Sequence, residues 1–478
     1  MEEADLVVLG AGPGGYAAAF YAADRGLNVT LVDQEPRLGG VCLLRGCIPS
    51  KALLHVSRVI HESLGLKSWG IHFDNPRIDL QNLRSQKEKV ITTLTGGLAQ
   101  LAKKRNVRVI RAKGKLAGAG MLELFPADSQ PLDSDRLRYR HLILAAGSRA
   151  VRLKVLEPAG DLVMTSRDAL DLPEIPDSLL VVGGGYIGLE LGTVYATLGS
   201  RVTVVEMTEG LLPGVDRDLV RPLEVRLRKL FAAIHLETKV VGVERVNGQV
   251  KVFLQGKDGE RTEVFSRILV AVGRRPNSDL LGAETVGLRL TPQEFVEVNE
   301  FLETSVPGIW AIGDIAGQPM LAHKATHQGK HAVENVLGEK APFEPRAIPA
   351  VVFTEPEIAW AGLTEAAARA EGREIETAVF PWGASGRAQA VGATDGFTKW
   401  IIDRASGRVL GCGIVGLGAG DLIGEACLAI EMGAHIADVA GTIHPHPTLC
   451  ETVGMAAEVY LGLATDIYRP KQGSTTPR

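Results

Sequence analysis

Two cysteines with four residues between them, Cys42 and Cys47 in GGVCLLRGCIPSKALLH, are the side chains whose type and spacing point most directly to chemistry. In one loop, their sulfurs are close enough to form a disulfide ring. Pro49 suits the first turn of a helix, where its missing N–H is not needed. Cys47 then lies at that helix's N-terminus, where the dipole favours a thiolate. Lys51, four residues on, falls on the same helical face. Metal binding competes with this redox reading, but zinc needs four ligands at suitable spacing, and His55 and His61 downstream are poor substitutes. Two unrelated buried thiols are the other alternative. A second cluster, HPHPTLCE at 444–451, sets two histidines beside Glu451. A carboxylate bonded to one ring nitrogen fixes the tautomer and makes the other nitrogen a better base. Thiol substrates need such a base, because the thiolate is the attacking species.

These groups need a scaffold, and an internal repeat supplies it. DLVVLG reads as a buried strand, followed by Gly10, Gly12 and Gly15, a small-residue helix (YAAAFYAADRG), and a second strand ending at Asp33. The order recurs in SLLVVGGGYIGLELGTVYATLGSRVTVVE, with Gly183, Gly185, Gly188 and Glu206. In both copies the acid follows the first glycine by 23 positions. The first glycine permits the strand-to-helix turn, the second lets a pyrophosphate approach, and the third lets helix and strand pack closely. The phosphates sit at the helix's positive end, and the acid accepts hydrogen bonds from a ribose diol. At Glu206 a carboxylate suits a free 2′-hydroxyl, and the following MTEGLLPG offers no cation for a 2′-phosphate, so NAD is favoured over NADP. A glycine turn with no ligand explains one such motif but not two complete copies. Because the cysteine pair directly follows the first copy, redox catalysis is favoured over metal.

The formal net charge of −4, with no long run of one sign, argues against nucleic acid as the main partner. No stretch approaches the roughly 20 apolar residues of a membrane span. Five cysteines in 478 residues are too few for a disulfide-stapled secreted scaffold. The acidic start, MEEADLVVLG, runs at once into a strand pattern and shows no signal peptide. A cytoplasmic location is expected; a mitochondrial matrix protein with its transit peptide removed would read the same way.

The redox segment resembles that of the pyridine nucleotide–disulfide oxidoreductases. The resemblance continues through LILAAGS at 142–148, the second fingerprint, VAVGRRPN at 270–277, SVPGIWAIGDIAG at 305–317, LAHKATHQG at 321–329 and HPHPTLCE. It implies FAD at the first fingerprint, with Asp33 on the adenosine ribose, Asp314 on the ribityl chain, Gly147 lining the site, and the His323–Ala325 backbone approaching the flavin ring. NAD is implied at the second, with Gly273 beside it. Cys42 is implied as the thiol that meets substrate and Cys47 as the one facing the flavin. Lys51 and Glu190 are implied as an ion pair beside the ring. The match to HPTLxE selects His446, with Glu451, as the base, supplied by the partner subunit of a homodimer; His444 is read as structural. No metal site is expected.

The implied reaction oxidises a dithiol through a Cys42–Cys47 disulfide and FAD to NAD, the dithiol being carried on lipoyl domains of 2-oxoacid dehydrogenase complexes or of the glycine cleavage system. The competing readings are an NAD(P)H-dependent reductase of another low-molecular-weight disulfide and a flavin-binding scaffold without turnover. The expected fold is α/β: two Rossmann-like domains for FAD (1–150) and NAD (151–275), a central domain (276–346), and a C-terminal α+β dimerisation domain (347–478). The tail after Arg469 is expected to be mobile, and Cys412 and Cys427 to be buried structural residues. Several positions depart from the family pattern: Leu44, Arg45, Ala146, Thr326, His327, Gln328 and Cys450. Arg45 reads equally as a cation that stabilises a nearby thiolate or as a solvated arginine.

Overall fold

A computed structural model describes residues 3–129, 131–257 and 259–468. The tail expected to be mobile lies outside the described residues. The chain is α/β, as expected, and its contacts divide it into two units. One takes in residues 3–183, 197–201 and 239–344; the other takes in 184–196, 202–238 and 345–468.

In the first unit, strand β1 (Glu3–Leu9) is the centre of the sheet. Parallel neighbours flank it: β2 (Val29–Asp33) on one side and β5 (Arg136–Leu144) on the other. Strand β3 (Arg108–Leu116) pairs with β2, and Ile309–Ala311 extends the sheet beyond β5. Strand β4 (Met121–Pro126) runs antiparallel to both β3 and β5. Leu6, Val7 and Val8 are all fully buried, as a central parallel strand covered on both faces requires.

Helix α1 (Pro13–Asp24) follows the first glycine turn and is alanine-rich for a packing reason. Ala18, Ala19 and Ala22 are fully buried. The helix Ala322–Val336 comes so close that a Cβ on Gly329 would stand 2.6 Å from the Gly14 carbonyl oxygen. Two short steps after β2 come α2 (Gly40–Arg45) and α3 (Cys47–Gly65), the latter packed against α4 (Leu80–Lys104). A three-stranded antiparallel sheet spans 239–265.

The second unit holds a five-stranded antiparallel sheet, in the order 350–352, 357–362, 409–416, 397–403, 375–381. Helices Ala419–Glu431 and Glu451–Leu461 belong to its core with Phe380, Trp382, Trp400 and Ile414. Both indoles are satisfied: Trp382 donates to Thr398 Oγ1 at 3.1 Å and Trp400 to the Val453 carbonyl at 2.9 Å.

One buried ion network joins this sheet to the helix Arg217–Leu230. Lys399 is 1% exposed, and its Nζ donates to Asp216 (3.1 Å), Asp218 (2.8 Å) and Glu365 (2.6 Å). The three carboxylates are spaced as metal ligands would be, but the lysine ammonium already occupies their common centre. Burial works to lower the Lys399 pKa, and the carboxylates of Asp218, Glu365 and Asp216 outweigh it and raise it. A raised folded-state pKa contributes stability that is complete below the unfolded lysine value and is lost as pH rises through the folded one. Lys399→Met leaves carboxylates without their cation and is expected to cost about 3 kcal/mol at neutral pH. In denaturant melts the deficit should shrink above about pH 10.5. A deficit independent of pH would mean that shape, not charge, is what Lys399 contributes.

Candidate active site

The glycines of the first fingerprint divide by what surrounds them. Gly10 has φ +108°, and a Cβ there would meet the Ala145 carbonyl oxygen at 2.3 Å; on Gly15 it would stand 1.8 Å from the Gly10 carbonyl oxygen. Both positions are filled by backbone. Gly12 has open space where its Cβ would be, leaving bare backbone at the start of α1 for a pyrophosphate. At the end of β2, Asp33 accepts the Ala11 N–H on one oxygen and the Glu35 N–H, at 2.7 Å, on the other. Burial raises its pKa, against the pull of those two N–H groups.

The remaining positions expected around FAD gather on the same unit. Asp314, in the turn after Ile309–Ala311, accepts from the Ser148 hydroxyl. Arg274 donates to Ser148 Oγ at 2.8 Å and to its carbonyl at 2.7 Å. Gln328 receives the Gly313 N–H at 2.8 Å and so fixes the Asp314 turn to the helix that begins with Ala322, His323, Lys324 and Ala325. The Ala325 carbonyl oxygen lies 2.8 Å from where a Gly14 Cβ would be. Gly147 adopts φ +66° and accepts the Asn277 N–H at 3.0 Å, while Asn277 Nδ2 donates to the Ala146 carbonyl. Lys324 is 4% exposed and donates to the Gly317 carbonyl; burial lowers its pKa to about 8. Ser148, Arg274 and Gln328 were not singled out as site residues from the sequence.

Cys42 lies on α2, half-buried, and Cys47 opens α3, exposed. Gly46 breaks the helical path between them with φ −145° and ψ −115°, and a Cβ there would stand 2.8 Å from the Val41 carbonyl oxygen. The hydrogen bond with Cys47, then burial, raises the Cys42 pKa, while the Lys51 charge pulls it down. Tyr16 feels the pair too: burial, then Cys42 and Cys47, raise its phenol. The expected thiolate role for Arg45 is not what the side chain does. Its guanidinium is paired with Glu35 instead.

At the second fingerprint, Gly183 repeats Gly10: φ is +111°, with the Ala271 carbonyl oxygen 2.5 Å from the Cβ position. Gly185 is open and Gly188 is buried in the helix Tyr186–Leu198. Glu206 accepts the Gly184 N–H at 2.7 Å, the Thr208 N–H at 2.8 Å and the Thr208 hydroxyl at 2.9 Å. Its carboxylate is thus fixed at the strand end where a ribose diol would be read. Gly273 has φ +127° and accepts the Val151 N–H at 3.1 Å. The Glu190 side chain is buried and accepts the Phe353 N–H at 3.0 Å.

The two histidines differ in kind. His444 is 9% exposed, with Nε2 on Glu425 at 2.7 Å and Nδ1 on the Thr442 carbonyl at 3.0 Å. Both its nitrogens are committed. His446 is 78% exposed, and only Nδ1 is held, by Glu451 Oε1 at 2.9 Å. Glu451 opens the helix Glu451–Leu461 and takes the Thr448 N–H on its other oxygen at 2.7 Å. Burial works to raise the Glu451 carboxyl, but the Thr448 N–H and His446 outweigh it and hold it below the usual range. An ionised Glu451 keeps the His446 proton on Nδ1 and leaves Nε2 as the acceptor. Burial pushes the Cys412 thiol up and Cys427 up to about 11, so neither is a ready nucleophile.

Residues 4–329 match the pyridine nucleotide-disulphide oxidoreductases, and residues 348–457 match the dimerisation domain of the same enzymes. The chain belongs to this family. Among named relatives, the dihydrolipoyl dehydrogenase of Vibrio cholerae is 47% identical over 470 residues, 98% of each chain. That of Haemophilus influenzae is 47% identical over 466 residues, covering 98% of this chain and 97% of the relative. Among solved structures, LpdA from Mycobacterium tuberculosis superposes with a TM-score of 0.87 at 29% identity, over 96% of this chain and 99% of that one. The copper complex of RclA, an HOCl-induced flavoprotein disulfide reductase from Escherichia coli, gives 0.85 at 25% identity over the same shares.

The first fingerprint makes a prediction that separates packing from binding. Gly12→Ala should fold normally yet lose FAD affinity at least tenfold, because its methyl enters the ligand's space. Gly15→Ala should fail to form the turn and give little soluble protein. Flavin content and circular dichroism of the purified variants check both; full flavin in Gly12→Ala would contradict the assignment.

Proposed function

We propose that this chain oxidises a dihydrolipoyl group to its cyclic disulfide and reduces NAD, as a homodimer holding FAD and NAD at its two fingerprints. The redox pair at the α2–α3 junction, directly after the first fingerprint, carries the reading. The end-to-end likeness to dihydrolipoyl dehydrogenases narrows the dithiol to a lipoyl group, borne on a 2-oxoacid dehydrogenase complex or the glycine cleavage system. Among the described residues no helix is long and apolar enough to cross a membrane, and a cytoplasmic site of action fits that reading. The family's dimerisation domain supports the homodimer.

His446 of the partner subunit accepts a proton at Nε2 from the substrate dithiol. The resulting thiolate attacks Cys42 Sγ, the Cys42–Cys47 bond breaks, and Cys47 leaves as a thiolate. That charge forms at the first residue of α3, where the helix dipole favours it. The second substrate thiol then attacks the substrate sulfur bonded to Cys42. The cyclic disulfide departs, and two electrons remain on the enzyme's pair. The Cys42–Cys47 hydrogen bond keeps the remaining proton on Cys42, whose pKa it raises. Bound FAD carries the two-electron transfer from the reduced pair to NAD. Glu451 acts by holding the His446 tautomer, and Glu206 by accepting the adenosine ribose of NAD.

Steady-state assays test the reading. Purified protein should form NADH from dihydrolipoamide and NAD, with NADP far slower. Cys42→Ser and Cys47→Ser should abolish the reaction, and His446→Gln should slow it roughly 10²- to 10⁴-fold while flavin content is retained. Activity on a different disulfide with none on dihydrolipoamide would overturn the substrate and leave the fold and cofactors standing.

A further inference from the structure

Arg45 stands where it can link two parts of the site that the sequence keeps apart. It is the last residue of α2, the helix that carries Cys42. Its guanidinium pairs with the Glu35 carboxylate, both side chains being less than one-fifth exposed. Glu35 follows β2, and its backbone N–H is one of the two donors that fix Asp33; the other is the Ala11 N–H within the glycine turn. A continuous path therefore runs from the redox helix, through one ion pair and one peptide, to the acid assigned to the adenosine ribose.

The electrostatics agree with that geometry. The bond to Arg45 holds the Glu35 carboxyl below its usual range against burial, with Arg167 and Arg111 adding positive charge. The bond to Glu35 raises Arg45, with Asp33 and Asp171 contributing. A cation at the end of α2 also faces the negative end of that helix. A partly buried pair of this kind can hold two segments in one register.

We propose that Arg45 is a positioning residue for the flavin cofactor: with Glu35 it forms a clasp that holds the redox helix against the adenosine-binding turn. The proposal rests on the assignment of Asp33 to FAD made above. The clasp's two side chains take no part in the proposed sulfur chemistry. Its signature is therefore cofactor retention, not loss of a chemical group.

The test measures the FAD dissociation constant of the intact enzyme, from flavin fluorescence released on dilution. Arg45→Met and Glu35→Gln should each weaken binding about tenfold, and the double variant no more than either alone, as expected for one shared interaction. Arg45→Lys should recover most of the affinity. Exchanging the charges, Glu35→Arg with Arg45→Glu, should restore more than either reversal alone. Wild-type affinity in Arg45→Met, or effects that multiply in the double variant, would overturn the clasp. Asp33→Asn separates the two layers. If it loses FAD while Arg45→Met does not, the clasp alone fails. If it keeps FAD, the assignment of Asp33 fails and the clasp's link to the cofactor fails with it.

Discussion

Everything in the redox half of this protein depends on how closely backbone meets backbone at the first glycine turn. At Gly15 there is no room for even one methyl group, because the Gly10 carbonyl occupies its place. At Gly14 the Ala325 carbonyl does the same from another segment. These two contacts draw β1, α1 and the helix Ala322–Val336 together. The Asp314 turn is fixed to that helix by Gln328. The open position at Gly12 is what the crowding leaves, and it lies where a cofactor's phosphates need bare N–H groups. A single glycine lost to packing would cost the site before any catalytic residue was touched.

The same constraint explains what was legible in the sequence. A position where only glycine fits leaves its mark at fixed spacing, so both fingerprints and their terminal acids could be read directly. Cys42 and Cys47 are legible from their type and spacing, and the His446–Glu451 pair from its match to the family's HPTLxE pattern. The α/β class followed from the repeated strand–glycine–helix–strand order. Ser148, Arg274 and Gln328 could not be read this way: Ser148 meets Asp314 across 166 positions, and Arg274 meets Ser148 across 126. No local pattern announces such contacts. In the sequence Gln328 is only one of several departures from the family pattern, yet its amide oxygen receives the Gly313 N–H and serves the turn without bringing a charge.

Arg45 shows how proximity in sequence misleads. Two residues from Cys47, it was read as a cation for a thiolate, but Glu35 lies within reach and offers a full carboxylate in a partly buried setting. A charge-assisted bond of that kind outcompetes a thiol that keeps its proton. Lys51 supplies the positive charge that Cys42 feels. At the other end of the chain, residue type alone does not tell His444 from His446, and only the match to HPTLxE does so in the sequence. Burial separates them, committing one ring to Glu425 and leaving the other presented outward.

In the proposed reaction a dithiol's electrons reach NAD by way of Cys42 and Cys47, and counting thiols on those residues follows them. Oxidised enzyme would be mixed anaerobically with one equivalent of dihydrolipoamide, quenched with a labelling reagent before or after NAD is added, and mapped by peptide. Two new labelled sites are expected, Cys42 and Cys47, which vanish when NAD is added as one NADH forms per subunit. NADH formation with no change at those two residues, or labelling that tracks Cys412, Cys427 or Cys450 instead, would contradict it.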